Sequence, residues 1–357
     1  MMRGAQGLPP INFEHLISIT DDTGIFQHCL GRVPAREHDY TTDDASRALV
    51  VVVREIERRP FPEGIRLATT LLSFVLHAQR FDGWFRNFLS FDRRWLDEGG
   101  SEDCYGRALW ALAKCSTSER LDPGLKFAAT EALKDALPWA PRLRSVRGRA
   151  LALIGLCVLL EGGHGEGQAV EVLEGLANSL VEDFRKFSAG DWRWFEGILT
   201  YANARMVQAL YCAYKLTGRR RYLEVAEEAG DFLWEVTFDG ERFVPIGNRG
   251  WYPRGGKRAL WAQQPLEAGC AVEAEVEGFK VTGKSEHLER ARVALQWFLG
   301  RNMLSQPLYD PETGACHDGL EPHEVNRNCG AEATISCLAS LQAMSGLPSF
   351  APSGKTL

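Results

Sequence analysis

The sequence lacks a hydrophobic run long enough to cross a membrane. Its longest apolar stretch, LALIGLCVLL at residues 151–160, has about half of the roughly 20 residues that a membrane helix needs. The first residues, MMRGAQGLPPINF, also lack the apolar h-region of a secretory signal peptide. We therefore expect a cytoplasmic protein without a membrane span.

The nine cysteines lack the paired spacing of a metal or redox motif, since no C-x-x-C occurs and the count is odd. Several lie within apolar helical stretches, where Cys behaves as a small buried hydrophobe. This pattern predicts neither disulfides nor a zinc site and is typical of a reducing compartment. The segment CHDG at residues 316–319 has no second cluster that could complete a metal site, so no metal or other cofactor is expected.

Several motifs of other function classes are also missing. The net charge is -6 and the charges are interspersed, which argues against a nucleic-acid partner. There is no G-x-S-x-G elbow and no doubly wound α/β pattern of the kind a typical glycosyltransferase needs. The segment GGHGEG at residues 162–167 joins two helical stretches without a preceding strand, which disfavours a phosphate-binding loop.

The most prominent feature of the sequence is an internal repeat. Four segments place small and apolar residues around an arginine: DDASRALVVVV, EDCYGRALWALAK, VRGRALALIGLCVLL and YANARMVQALYCAYKLTG, with Arg47, Arg107, Arg149 and Arg205. Two further segments keep this character without the arginine, EAGCAVEAEVEGFKVTG and CGAEATISCLASLQAMSG. Amphipathic stretches such as YLEVAEEAGDFLWEV and HLERARVALQWFLG lie between them.

The two kinds of helix predict the architecture. A helix that is apolar nearly all round must be buried on both sides, whereas a helix with one charged face lies on the outside. Six buried helices, five amphipathic ones and an N-terminal helix near FEHLISI would close as two concentric rings. We therefore predict an all-α (α/α)6 barrel, as one domain over residues 1–346 with a flexible tail at 347–357. The alternative is an open α-solenoid, whose repeats would be more even.

Acidic residues recur where the predicted inner helices begin. In a closed double ring these helices point the same way, so their N-terminal ends gather at one mouth. The acids that would meet there are Asp43, Asp44, Glu102, Asp103, Glu196 and Glu267. Polar and aromatic residues expected at the same mouth are Trp192, Trp194, Tyr201, Asn203, Gln263, Gln264, His317, Asp318 and Asn326.

Structural roles for these residues stay open at this point. A single acid at a helix start could be an N-cap, where the helix dipole stabilises it by roughly 0.3–1 kcal/mol. An adjacent pair of acids exceeds what one cap needs. Arg47 and Arg107 must be paired or face a wet cavity if their helices are buried, so ion pairing with the same acids is one interpretation. The aromatic residues of DWRWFEG could equally form a core cluster.

The residue types at the mouth favour a sugar. Aromatic faces pack on pyranose rings, and planar amide and guanidinium groups meet hydroxyls. Hydrolysis of a glycosidic bond needs two carboxyl groups. We hypothesise that Asp103 is the general acid with Glu196 as its partner, and that Asp43 or Asp44 is the base if that pairing is wrong. The residues expected to bind substrate are Trp192, Trp194, Tyr201, Asn203, Arg107, Arg47, Gln264, Glu267, His317, Asp318 and Asn326.

The motifs also resemble a known family. ITDDTGIFQH, YTTDDASRAL, WFEGILTYANARMVQAL, QQPLEAGCAVEA and the segment YDPETGACHDGLEPHEVNRNCGAEATISCLASL look like the (α/α)6 carbohydrate-active module that occurs beside or fused to group-1 glycosyltransferases and near β-1,2-mannoside phosphorylases. More distantly, the pattern is similar to (α/α)6 glycoside hydrolases and N-acylglucosamine 2-epimerases. The chain departs from the family's TDDNARAL at Ala45 and Ser46.

The resemblance implies a carbohydrate context and a functional link to a glycosyltransferase. Together with the acids, it favours a glycosidase acting on a short, mannose- or glucose-containing oligosaccharide. Two alternatives remain. A sugar epimerase or isomerase on the same barrel would need bases near neutral pKa, for which His38 and His317 lie near the mouth. A non-catalytic glycan-binding partner of a glycosyltransferase would keep the tryptophans and tolerate loss of the acid pair.

Overall fold

The computed structural model describes residues 7–164 and 167–347, and the chain there is almost entirely helical. Twelve α-helices are present in this part: α1 Glu14–Ser18, α2 Thr42–Arg58, α3 Gly64–Ala78, α4 Glu102–Thr117, α5 Pro123–Ala136, α6 Val146–Glu161, α7 Gln168–Phe187, α8 Ala204–Thr217, α9 Arg220–Thr237, α10 Pro265–Thr282, α11 Ser285–Phe298 and α12 Ala331–Ser345. A 3-10 turn at Leu137–Arg142 follows α5. Residues 348–357 of the predicted tail and residues 165–166 of GGHGEG lie outside the described residues.

The helices form two concentric rings. Each even-numbered helix contacts the next one, and α12 contacts α2, so the inner ring is closed. The odd-numbered helices pack outside it, with α3 on α2, α5 on α4, α7 on α6, α9 on α8, α11 on α10 and α1 on α12. The predicted all-α (α/α)6 barrel is confirmed. Closure of the inner ring excludes the open solenoid.

Burial separates the two rings as the sequence predicts. In α6 nearly every residue is buried, because neighbours cover the helix on all sides. In α9 the buried residues form one stripe and the charged residues face outward. The Thr-Gly turns after α8 and α10 are left-handed helix caps, with φ of 64° at Gly218 and 70° at Gly283.

Helices α4 and α6 approach each other closely because glycine lies at their interface. A β-carbon on Gly155 would lie 2.9 Å from the backbone of Trp110. A β-carbon on Gly106 would lie 2.7 Å from the β-carbon of Leu151. Side chains larger than hydrogen at these positions would push the two inner helices apart.

Short strand pairs lie in the connecting segments. They are β1 Cys29–Leu30 with β2 Val33–Pro34, β3 Tyr40–Thr41 with β4 Phe88–Leu89, β5 Ile198–Leu199 with β6 Tyr252–Pro253, and β7 Gly319–Leu320 with β8 Val325–Asn326, all antiparallel. Strand β3 leads directly into α2, and β5 and β8 shortly precede α8 and α12. These segments therefore fold over the N-terminal ends of inner helices.

No helix in the described part of the chain is both long and apolar enough to span a membrane. All nine cysteines are buried and none forms a disulfide.

Candidate active site

The N-caps of three inner helices are hydroxyl side chains. Thr41 accepts the backbone N–H of Asp44 at 3.0 Å, and Ser101 accepts that of Cys104 at 3.2 Å. Ser145 caps α6 in the same way. Because the hydroxyl fills the cap, the acids that follow are not needed for it. The capping interpretation of the acid pairs therefore does not hold for α2 and α4.

Hydrogen bonds and ion pairs link the N-terminal ends of the inner helices around one mouth. Going round from α12, the contacts are Arg47–Glu332, Asp43–Arg107, Asp103–Ser145, Arg147–Tyr201 and Asn203–Glu267. Scattered positions of the sequence thus become neighbours at one end of the barrel.

A cavity of about 440 Å³ opens at this mouth, beside the starts of α2, α10 and α12. Its walls are polar, with four carboxyl groups, one arginine and several amides. The lining residues are Gln27, His28, Thr41, Asp43, Asp44, Arg47, Asn87, Phe88, Gln264, Pro265, Asp318, Asn326, Gly330, Glu332 and Ala333. Pockets of this size accommodate small-molecule ligands.

Asp43 is a fixed negative charge in the cavity wall. Its carboxylate contacts Arg47 at 2.7 Å and Arg107 at 2.9 Å. Burial alone would raise the pKa of Asp43, but the guanidinium groups of Arg107 and Arg47 outweigh it and hold the pKa below its ordinary value. The structural ion pairing considered for both arginines is thus present.

Asp44 differs from its neighbour although the two are adjacent in sequence. Its Oδ2 accepts the hydroxyl of Thr41 at 2.8 Å, and its Oδ1 lies 3.6 Å from Arg47. Burial raises the pKa of Asp44 to about 6, and the nearby charges of Glu332 and Asp43 add to the effect. Asp44 can therefore change protonation state close to neutral pH.

Asp318 is another acid in the cavity wall. Its Oδ1 accepts the backbone N–H of Gly330 at 2.7 Å. Burial and, to a smaller extent, the charge of Glu332 raise the pKa of Asp318 to about 6, although the hydrogen bond from Gly330 acts to lower it. Glu332 itself is held by Arg47 at 2.6 Å. Its charge thus acts on both titrating acids, Asp44 and Asp318.

The predicted pair Asp103 and Glu196 lies on another side of the mouth. Neither residue lines the 440 Å³ cavity. Asp103 accepts the hydroxyl of Tyr201 at 2.9 Å, while Glu196 pairs with Arg147 at 2.7 Å. The guanidinium carbon of Arg147 lies 4.7 Å from the centroid of the Tyr201 ring. Tyr201, 37% exposed, thus contacts both Asp103 and Arg147, and the acid pair expected from the sequence does not line the cavity.

Glu267 and Asn203 are buried and hydrogen-bonded to each other. The Asn203 amide donates to Glu267 at 2.8 Å, and the backbone N–H of Ala202 donates to the same carboxyl. Burial raises the pKa of Glu267 to about 7. Both residues fix the entry to α8, where Ala202 has a positive φ of 48°, and neither lines the cavity.

Seven of the residues predicted to bind sugar do not line the cavity: Trp192, Trp194, Tyr201, Asn203, Arg107, Glu267 and His317. Trp194 has 0% exposure and packs against Phe195, so it belongs to the core. Trp192 is also buried, and its indole N–H donates to the backbone carbonyl of Glu196. The imidazole of His317 faces the carbonyl of Arg327 instead. For Trp194, the core interpretation of DWRWFEG is the correct one.

Nine cavity residues were not predicted from the sequence: Gln27, His28, Thr41, Asn87, Phe88, Pro265, Gly330, Glu332 and Ala333. A signal for Glu332 was available, because it is the second residue of α12, just as Asp43 is of α2 and Asp103 of α4. Gln27 and His28 end the motif ITDDTGIFQH.

No protein-family model and no curated protein sequence matches the chain. Solved structures do match it in fold. A D-mannose isomerase has a TM-score of 0.73 at 11% identity, with 94% of this chain and 96% of that chain covered. The cellobiose 2-epimerase from Spirochaeta thermophila has a TM-score of 0.70 at 13% identity, with 93% of each chain covered.

The cellulase Cel9M of C. cellulolyticum is similar as well, with a TM-score of 0.64 at 9% identity over 90% of this chain and 86% of that one. Sugar epimerases, sugar isomerases and glycoside hydrolases thus share the fold of this chain. At identities this low, the likeness shows the (α/α)6 fold alone.

Proposed function

We propose that the chain is an enzyme that cleaves a glycosidic bond of a short oligosaccharide in the mouth cavity. The observation that carries the proposal is the pair Asp44 and Asp318. Both line one cavity, and burial raises the pKa of each to about 6. Glycosidic hydrolysis needs one protonated and one ionised carboxyl group, and two acids that titrate near the working pH can supply them.

The surroundings of the two acids suggest their roles. Asp44 has a guanidinium 3.6 Å away and a hydroxyl donor, both of which favour the ionised form, so it is the base. Asp318 has one backbone N–H donor on Oδ1, which leaves Oδ2 to carry the proton as general acid. Asp318 would protonate the leaving oxygen, the bond from that oxygen to the sugar carbon would break, and Asp44 would take a proton from the attacking water. This division is that of an inverting glycosidase.

The rest of the cavity suits a sugar ring. Amide side chains of Gln27, Asn87, Gln264 and Asn326 lie in its wall and can exchange hydrogen bonds with hydroxyl groups. Several solved structures with this fold are named for sugar enzymes, among them the cellulase and the cellobiose 2-epimerase. Their names support a carbohydrate substrate without indicating which sugar it is.

The test is a screen of defined oligosaccharides, with and without phosphate, followed by chromatography of the products. We expect cleavage by the parent protein and at least a hundredfold loss, about 2.7 kcal/mol, in Asp318→Asn and in Asp44→Asn. Asp22→Asn is the matched control, because Asp22 is exposed and lies outside the cavity wall. If cleavage survives in both cavity variants but is lost in Asp103→Asn, the catalytic pair would be Asp103 and Glu196, as predicted from the sequence.

One observation favours a second candidate, a sugar epimerase or isomerase. His28 lines the cavity, and burial lowers its pKa, so its imidazole is neutral and can accept a proton. Reactions run in deuterium oxide separate the two functions. Proton abstraction next to a carbonyl places deuterium on a sugar carbon, and this would be lost in His28→Asn, whereas hydrolysis leaves the carbon-bound hydrogens unchanged.

A further inference from the structure

An aromatic ring stands at the lip of the mouth cavity. Phe88 lines the cavity and is 40% exposed. It pairs with Thr41 across the β3–β4 ladder. Directly opposite residues of an antiparallel pair project on the same face, so the ring stands beside Thr41. Thr41 is the residue whose hydroxyl donates to Asp44. Thr41 therefore connects the position of Phe88 to Asp44, one of the two titrating acids.

The backbone that carries this ring is firmly held. The carboxylate of Asp97 accepts the backbone N–H groups of Asn87 at 2.8 Å and of Phe88 at 2.9 Å. The carbonyl of Asn87 accepts the N–H of Thr42 at 2.9 Å, at the start of α2. The backbone at Phe88 is thus fixed to the start of α2, the helix that carries Asp43 and Asp44.

A second exposed phenylalanine in the same segment gives a comparison. Phe91 is 47% exposed, but its ring stacks on Phe26 with centroids 6.1 Å apart, and the guanidinium of Arg36 lies over it at 5.4 Å. Among the described residues, no other aromatic ring or cation stacks on Phe88. The exposed face of Phe88 is therefore free, and it borders the cavity where that of Phe91 does not.

We propose that Phe88 is the platform for a second sugar ring, so that the substrate is an oligosaccharide whose first ring fills the cavity. This inference rests on the proposed function, since it takes the cavity to be a sugar site. The amide-lined cavity offers hydrogen bonds to the hydroxyls of one ring, with Asn87 beside Phe88 at the junction. The phenyl face offers apolar contact to the carbon face of the next ring. Free monosaccharides would use the first subsite alone.

The test compares binding of one-ring and two-ring sugars in a variant that cannot turn them over. In the Asp318→Asn background, the dissociation constants of mannobiose and cellobiose are measured by calorimetry beside those of mannose and glucose. Adding Phe88→Ala should weaken the better-bound disaccharide by about tenfold and change its monosaccharide by less than about twofold. Adding Phe91→Ala should change neither, and Phe88→Trp should keep the disaccharide affinity.

The outcomes separate the two proposals. Equal weakening of disaccharide and monosaccharide by Phe88→Ala, or no weakening at all, would overturn the platform while leaving the sugar site in place. If none of the four sugars binds and the parent protein cleaves no oligosaccharide, the proposed function fails and the platform with it. Loss of disaccharide affinity in Phe88→Trp as well as in Phe88→Ala would also contradict the proposed platform. An aromatic face at this position would then not be sufficient to bind the second sugar ring.

Discussion

At the scale of single residues, the protonation of two acids controls the proposed reaction. Asp318 must be protonated, so activity falls as the pH rises through its pKa of about 6. Asp44 must be ionised, so activity falls as the pH drops below its pKa of about 6. The pH profile of kcat/KM should therefore be a narrow bell with its maximum near pH 6.

A substitution of Glu332 tests the electrostatic origin of this pH profile. Its negative charge raises the pKa of both Asp44 and Asp318, in addition to the effect of burial. Glu332→Gln should lower both pKa values and move the maximum of kcat/KM to lower pH by about half a unit to one unit. A pH profile of the variant beside the control Asp22→Asn checks this. An unmoved maximum, or one shifted to higher pH, would contradict the electrostatic account.

Glu267 predicts a dependence of stability on pH. Burial raises the pKa of this carboxyl to about 7, above its value in the unfolded chain. The unfolded state then releases the proton first, so the free energy of unfolding falls as the pH rises from about 4.5 to about 7. Between pH 5 and pH 7 the stability advantage of the parent protein over Glu267→Gln should shrink by about 2 kcal/mol. Denaturant unfolding at both pH values measures it, and a constant difference would show that Glu267 is ionised throughout.

The limits of the sequence are clearest for individual residues. It indicated that acids, amides and aromatic side chains gather at the mouth, because they recur at helix starts. It could not tell the exposed Tyr201 from the fully buried Trp194, since exposure depends on which segments fold over them. Nor could it order Asp43 and Asp44, because their pKa values depend on the fold: Arg107 and Arg47 lower the pKa of Asp43, whereas burial raises that of Asp44.

At the scale of secondary-structure elements, glycine sets the spacing of α4 and α6. Gly155→Ala would place a methyl group 2.9 Å from the backbone of Trp110, so it should destabilise the fold by about 1–3 kcal/mol. Gly175→Ala is the matched control on the outer helix α7, because nothing lies within 4 Å of its β-carbon. That control should stabilise the protein by about 0.5–1 kcal/mol through helix propensity. Thermal unfolding of both variants checks the contrast, and a stabilising Gly155→Ala would contradict it.

The elements themselves were largely predictable. All-round apolar composition marked the inner helices, and glycine after Thr217 and Thr282 marked two helix ends. The loops were not predictable. Gln27, Asn87 and Asp318 reach the cavity from segments outside the inner helices, and their positions depend on strand pairs of two residues each. Such short pairs leave no alternating pattern in a sequence.

At the scale of the whole molecule, closure of the ring creates the mouth cavity. Arg47 on the first inner helix pairs with Glu332 on the last, which lies 285 residues away along the chain. An open solenoid would leave these residues far apart, and the cavity between α2 and α12 would not exist. The six repeats made closure predictable from the sequence. The link to a glycosyltransferase stays a prediction.

The barrel has a second opening, at the C-terminal ends of the inner helices. A cavity of about 300 Å³ lies there, with Arg54, Arg58 and Lys280 in its wall. Each of these cations is paired with a glutamate, among them Glu273 and Glu277. Asp44 and Asp318, the two acids of the proposed pair, lie in the mouth cavity at the other end of the barrel. We therefore expect a substrate to bind in the mouth cavity and not at this second opening.

The most direct measurement is a crystal structure of Asp318→Asn soaked with mannobiose or cellobiose. Our prediction is a sugar ring in the mouth cavity, within hydrogen-bond reach of Asp44 and residue 318. Sugar bound only between Asp103 and Glu196, or only at the opposite opening, would contradict it, as would an empty mouth at saturating concentrations of both sugars.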